Sequence, residues 1–231
     1  MDYKDDVLIK ISNLSASSNK VSVIIPCFNC ESFVERCIHS LVSQTYNNFE
    51  AIIVDDGSTD TSDAVIKRFF GDQRIHQIRH TKNVGLPASR NTGIRYSTGT
   101  LIAFLDSDDW WAPTKLEAQV RVFDDSNVDI CAVAAKQIYC DGSSTISTLS
   151  ALSKKDLYKT LLFRNCVPGS ASSIMIRKKC FDSVGLFDEE MVSTEDQDMW
   201  IRLAEKYNYV FLSTQPLVFI DKTRDQSLSR N

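Results

Sequence analysis

Val21-Ser22-Val23-Ile24-Ile25 is a short β-branched run, and beyond the polar stretch that follows it the apolar residues change their spacing. Phe33, Val34, Cys37, Ile38, Leu41 and Val42 recur at i, i+1, i+4, i+5, i+8 and i+9. The first pattern fits a strand and the second one face of a helix. The unit then repeats. Phe49 to Val54 leads through Asp56-Gly57-Ser58-Thr59 to a helix over Thr61 to Phe70. Arg74 to Arg79 predicts a third strand, Leu86 to Tyr96 a further helix, and Leu101 to Leu105 a fourth strand. Nearly continuous apolar strands alternating with helices predict an α/β architecture, a Rossmann-like, mostly parallel sheet covered on both faces.

After Pro113 the pattern becomes mixed. A helix through Phe123, a strand over Asp129 to Tyr139, a Cys140-Asp141-Gly142-Ser143 turn and a helix over Lys154 to Arg164 are expected, followed by a strand at Ser172 to Ile176. Thr194 starts a helix through Lys206, and Val210 to Leu212 and Leu217 to Ile220 read as short strands. Met1 to Asp6 resembles part of an epitope tag, so residues 1–19 are set aside as an N-terminal segment. Residues 20–231 then form one domain, with 20–112 as a nucleotide-binding half and 113–231 completing the sheet and shaping a second pocket.

Composition bounds the function. The chain has 231 residues, 43% hydrophobic and 24% charged, which excludes disordered, collagen-like and small disulfide-framework classes. Its 26 basic and 30 acidic residues give a net charge of −4 without a long basic run, so no nucleic-acid partner is expected. The N-terminus lacks a basic start followed by an apolar run, and no stretch of 18 apolar residues occurs, so neither secretion nor a membrane span is expected. Seven cysteines, an odd number, suit a reducing compartment. A cytoplasmic chain is the resulting expectation.

Ligands of open parallel sheets bind beyond the carboxyl ends of the strands, and two of those ends are acidic. Asp55-Asp56 ends the second strand and Asp106-Ser107-Asp108-Asp109 the fourth. Extended geometry puts Asp106 and Asp108 on the same side. Acids this close repel unless a cation or a set of donors lies between them. A divalent metal, Mn²⁺ or Mg²⁺, carrying a diphosphate meets that need, because such ions take a few carboxylates plus phosphate oxygens. Turn and helix-cap chemistry is the other reading of Asp55 to Asp60, and a solvated acidic turn is the other reading of Asp106 to Asp109.

Five segments in order resemble the motif series of glycosyltransferase family 2. They are Val23 to Asn29, Val54 to Asp60, Asn83 to Asn91, Phe104 to Asp109 and Glu195 to Leu203, within a resemblance that spans Val21 to Leu228. It implies a GT-A-type fold and inverting transfer of a sugar from a nucleotide diphosphate, usually UDP, to an acceptor hydroxyl. It further implies that Pro26 and Phe28 surround the base, where relatives more often have Tyr than Phe. Glu31 reaches the same pocket or else stabilises the first turn of its helix. Asp55 accepts hydrogen bonds from base or ribose with Asp56 beside it, Asn83 and Arg90 shape the donor pocket, and Asp106 with Ser107 touches the ribose or metal. Asp108 is the metal ligand, with Asp109 as its alternate.

Thr194-Glu195-Asp196-Gln197 has the form of a capping box, which would place both acids in the first turn of a helix. Asp196 matches the family's catalytic base, and one base without an enzyme nucleophile means inversion. Glu195 is expected to orient the acceptor, and Trp200, Trp110 and Trp111 are candidates either for stacking on sugar or for the core. Relatives often carry a His near the last strand that helps to hold metal or diphosphate. Here that stretch reads Lys222-Thr223-Arg224-Asp225, so Lys222 or Arg224 is expected to stabilise the leaving group instead.

Three rivals were weighed. A thioredoxin-type reading of Cys27-Phe28-Asn29-Cys30 leaves both acidic clusters unexplained. A nucleotidyltransferase lacks its Gly-rich, Arg-containing loop. A non-catalytic sugar-nucleotide or carbohydrate-binding module is opposed by Asp196 and mildly favoured by the missing His. A saccharide or lipid-linked saccharide is the acceptor the resemblance implies, in polysaccharide or glycoconjugate synthesis. Peripheral contact with the cytoplasmic face of a membrane then follows by analogy, although the sequence shows no obvious basic amphipathic anchor.

Overall fold

The computed structural model describes residues 19–149 and 152–223, so the tag-like start and Arg224 lie outside the described residues. Strands β1 (Val21–Cys27), β2 (Phe49–Asp55), β3 (Ile75–Arg79) and β4 (Leu101–Phe104) pair in parallel in the order β3-β2-β1-β4. Every residue of β1, β2 and β4 is buried. Alternation divides them between two layers. Val21, Val23 and Ile25 pack with Cys37, Ile38 and Leu41 of α1 (Val34–Val42), whereas Ile24 packs in a second cluster with Ile94 of α3 (Leu86–Tyr96). Helix α2 (Ser62–Lys67) links β2 to β3. A Cβ at Gly93 would lie 2.3 Å from Ile24 Cγ2, so glycine lets α3 lie directly on β1.

Pro26 has no N–H to donate, yet it sits in a central strand. The register explains this. Pairing of β1 with β4 stops at Ile24–Phe104, so Pro26 faces only β2, opposite Val54.

The same sheet continues into the second half of the chain. β8 (Ile174–Arg177) runs antiparallel to both β4 and β6 (Ile130–Tyr139), β9 (Tyr209–Lys222) runs parallel to β6, and β5 (Trp110–Trp111) closes the edge on β9. β7 (Ser144–Ser147) forms a hairpin with β6. Around these lie α4 (Lys115–Val122), α5 (Lys154–Phe163), α6 (Cys180–Val184) and α7 (Glu195–Lys206). The result is the α/β fold expected from the sequence, with nine strands in one mixed sheet among the described residues.

Several boundaries differ from the sequence expectation. The two short terminal strands are one strand, β9, whose partner register slips on β6 between Val133 and Ala135. Ser172 and Ser173 belong to a 3-10 turn that precedes β8. The two-residue strand β5, the hairpin partner β7 and helix α6 are too short for periodicity to register. Among the described residues no helix is long and apolar enough to cross a membrane.

Candidate active site

The loops after β1 and β2 are laced together. Asn29 N donates to Ser58 Oγ (3.0 Å) and Cys30 N to Ser62 Oγ (2.8 Å), while Asn29 Oδ1 accepts from Thr59 N (2.9 Å). Glu31 Oε2 accepts from Thr61 N at 2.9 Å and from the Thr61 hydroxyl, so this acid holds the start of α2 from across the loop. The sequence reading offered Glu31 to the base pocket or to the first turn of its own helix; its bonds here run to the start of α2. Pro26 is buried, which leaves the partly exposed Phe28 as the ring presented at the end of β1. Cys27 and Cys30, with Cα atoms 6.0 Å apart across this turn, are joined as a disulfide, a pairing not included in the reading of the cysteines as reduced.

Asp55 and Asp56 have different surroundings. Asp55 is fully buried; its Oδ1 accepts from Ser58 N (2.9 Å), and its Oδ2 lies 3.3 Å from Arg79 Nε without a hydrogen bond. That oxygen is the unspent acceptor of the pair. Asp56 is spent: its oxygens take Val84 N (3.0 Å), Gly85 N (2.8 Å) and the His80 ring at Nδ1 (2.7 Å). These bonds hold the loop that starts α3. Asn83, on that loop, is exposed.

Arg90 ties the two halves. This buried guanidinium donates to Asp106 Oδ1 (3.0 Å) and to Glu195 Oε1 (2.7 Å). Burial opposes its charge, but Asp106, Glu195 and Asp196 more than compensate and hold its pKa above the usual value. Glu195 is thereby engaged by Arg90 and 8% exposed. Neighbouring Asn91 fixes the segment before α7, donating to Phe187 O (2.8 Å) and accepting from Phe187 N (2.9 Å).

Helix α7 does not begin with the expected capping box. Thr194 has a left-handed backbone (φ 62°), and its hydroxyl donates to Ser193 O; the Gln197 amide donates to Leu161 O (2.7 Å). Asp196 provides the cap from inside the turn, with Oδ1 accepting from Gln197 N (2.6 Å). Its other oxygen accepts from Asn165 Nδ2 (2.9 Å) and from the Ser170 hydroxyl. Gly169 and Ser170 both have positive φ, 66° and 47°, and a Cβ at Gly169 would meet Ala135 Cβ at 2.7 Å. The sequence reading did not single out Asn165 or Ser170 as partners of Asp196.

A cavity of about 590 Å³ opens between these parts. Asp106, Asp108 and Asp109 line one side, Lys222 and Gln137 another, and the loop from Arg164 to Ser170 the third. Ser107 is buried beneath the turn. Burial and the neighbouring Asp108 and Asp106 push the Asp109 carboxyl well above the usual range, against a 2.6 Å hydrogen bond from Ser172. The surroundings of Asp108 and the charge of Asp106 also raise Asp108, with Lys222 acting the other way. The turn is therefore short of positive charge. Among the described residues no three His, Cys, Asp or Glu side chains converge as a metal cage. Two hard carboxylates facing a cavity nevertheless fit an ion that completes its shell with phosphate and water.

Arg36 is a residue the sequence reading missed. Its guanidinium donates to the carbonyl of Asp108 (2.8 Å) and to Asp221 Oδ2 (2.9 Å), pinning the acidic turn to the end of β9 next to Lys222. It also lies 3.8 Å from the centre of the Trp110 ring, which stacks on Phe219. Trp111 is buried and donates to Ser172 O (2.9 Å). Trp200 is fully buried against Phe187, so its assignment to the acceptor side is corrected: it is core.

Residues 22–185 match the family described as glycosyl transferase family 2. The chain belongs to that family. An uncharacterized glycosyltransferase of Rickettsia bellii is 35% identical over 187 residues, which cover 81% of this chain and 26% of the relative. The Escherichia coli protein WfgD, named UDP-Glc:alpha-D-GlcNAc-diphosphoundecaprenol beta-1,3-glucosyltransferase, is 30% identical over 81% of this chain and 71% of its own length. The chain spans 26–31% of the length of three Rickettsia relatives.

The fold is that of GT-A-type structures. S. aureus TarS 1-349, solved in complex with UDP-GlcNAc, superposes with a TM-score of 0.74 at 22% identity, over 92% of this chain and 61% of that one. The mannosyltransferase PcManGT from Pyrobaculum calidifontis, in complex with GDP-Man and Mn²⁺, gives 0.67 at 17% identity, over 91% and 59%.

Proposed function

We propose that this family 2 chain is an inverting glycosyltransferase that moves a sugar from a nucleotide diphosphate, a UDP-sugar, to an acceptor hydroxyl at the cytoplasmic face of a membrane. The observation that carries the reading is the Arg90 bridge: one buried cation joins Asp106 of the acidic turn to Glu195, the residue before Asp196. Diphosphate site and base are thereby held in one assembly.

Asp55, through its unspent oxygen, and Phe28 receive the base and ribose. Asp108, with Asp106 beside it, holds Mn²⁺ or Mg²⁺, which neutralises diphosphate charge when bound. The acceptor hydroxyl meets Asp196, whose Oδ2 is oriented by Asn165 and Ser170. Asp196 takes the hydroxyl proton as the new C–O bond forms and the bond to the diphosphate breaks on the opposite side of the sugar. Lys222, on the cavity wall, stabilises the departing diphosphate, and Arg224 follows it in sequence. Glu195 keeps Arg90 and the first turn of α7 in place. The UDP-GlcNAc complex of TarS supports the donor class, and the name of WfgD supports a lipid-linked saccharide acceptor.

Calorimetric titration with UDP, GDP and CDP, each with and without Mn²⁺, tests the donor half of this reading. Metal-dependent binding of UDP, lost in Asp108→Ala, is expected; binding of no nucleotide refutes the transferase. For the chemistry, Asp196→Asn is expected to keep nucleotide affinity and to lose about 10²- to 10⁴-fold in turnover. Unchanged turnover removes Asp196 from the mechanism.

A further inference from the structure

Helix α5 has two faces of opposite character. Leu157 and Leu161 are buried in the core cluster that contains Met199, Trp200 and Leu203 of α7. Lys155, Lys159, Leu162 and Phe163 lie on the other side, at i, i+4, i+7 and i+8. Leu162 is 50% exposed and Phe163 89%. The next residue, Arg164, ends the helix on the cavity wall, and Ile146 of β7, 57% exposed, lines the same cavity.

We propose that the outer face of α5, continued by Ile146 at the mouth of the cavity, docks on a bilayer surface rich in anionic headgroups. Charge identifies the occupant. In a chain of net charge −4, this face gathers Lys155, Lys159 and Arg164 around its apolar residues. The acid beside them, Asp156, is engaged by the Ser153 hydroxyl in the cap of the helix (2.6 Å). Apolar side chains flanked by lysines suit an interface where the rings and aliphatic chains enter the acyl boundary and the ammonium groups stay among phosphates. Few inserted side chains and a few cations give the weak, reversible attachment of a peripheral enzyme.

The sequence hid this face because its lysines and exposed apolar residues interleave with Leu157 and Leu161, so no clean amphipathic stripe appears. The proposal leans on the transferase reading only to explain why the face adjoins the cavity. With the cavity mouth turned to the headgroups, the acceptor it fits is one whose saccharide is anchored in that bilayer.

Sedimentation with phosphatidylcholine vesicles, with and without phosphatidylglycerol, tests it on the 231-residue chain. Wild type is expected to pellet with the anionic vesicles, less so at high salt. The double variants Leu162→Gln/Phe163→Gln and Lys155→Glu/Lys159→Glu are expected to partition at least about tenfold less, with thermal unfolding and UDP titration unchanged. Wild type left in the supernatant, equal retention on neutral vesicles, or undiminished retention of the Leu162→Gln/Phe163→Gln variant overturns the proposal. So does a dimer that these substitutions convert to a monomer without vesicle retention, which would make the face a self-association surface. Vesicle retention without UDP binding would refute the transferase reading and leave this one standing.

Discussion

Glu50 and the turn from Asp106 to Asp109 are carboxylates at opposite ends of the same parallel sheet, one at the start of β2 and the other beyond β4, and their neighbours treat them in opposite ways. Glu50, near the start of β2, receives Lys20 Nζ (2.6 Å), Ser22 Oγ (2.6 Å), Thr98 N (2.7 Å) and the Thr98 hydroxyl (2.8 Å). Burial pushes its pKa up, but these donors overcome it and bring it down to about 2. Beyond β4 three aspartates share Arg90, Ser172 and the more distant Lys222, and Asp108 and Asp109 are raised. A carboxylate surrounded by donors holds strands together. A cluster left short of them suits the proposed metal ion, a ligand that brings its own positive charge.

The widest separation should come from deleting one carboxylate at each end. Glu50→Ala is expected to lower the unfolding free energy at pH 7 by about 3 kcal/mol, because it strands Ser22, Thr98 and Lys20 together. Asp109→Asn, measured in the same urea titration without metal, is expected to cost nothing; an equal loss at both positions would erase the contrast. Acid titration sharpens it. The folded pKa of Glu50 lies below its unfolded value, so its contribution is complete above about pH 4.5 and disappears as pH falls toward about 2. Wild type should therefore lose about 3 kcal/mol more than Glu50→Gln across that window. The smallest effect concerns the tether. Arg36→Ala removes both the bond to Asp108 O and that to Asp221, so KM for the donor is expected to rise a few-fold with kcat nearly unchanged.

The parallel half was legible because its strands are buried on both faces, which writes each of them as an uninterrupted apolar run bounded by turn residues. Its acids were legible because they follow those runs directly. Two kinds of information were not. Trp200 stands in a helix whose first turn carries the proposed base, and spacing along the chain does not say which way a side chain faces. Asn165, Ser170 and Arg36 lie 31, 26 and 72 residues from the groups they bond, so nothing local marks them. The capping box failed for a related reason: the Gln197 side chain is turned to Leu161 O, 36 residues away, and Thr194 has a left-handed backbone.

The Arg90–Glu195 contact closes a loop of 105 residues, whereas the β1 and β2 loops join across about 30. Contacts of long sequence separation carry a larger chain-entropy cost before they form. In a chain made from its N-terminus, the parallel part of the sheet is complete once β4 has emerged, but Arg90 has Asp106 without Glu195 until α7 follows. On the proposed function, catalytic competence is thus a late event in the life of the chain, and a product stopped before Glu195 would have the parallel strands without the proposed base, Asp196.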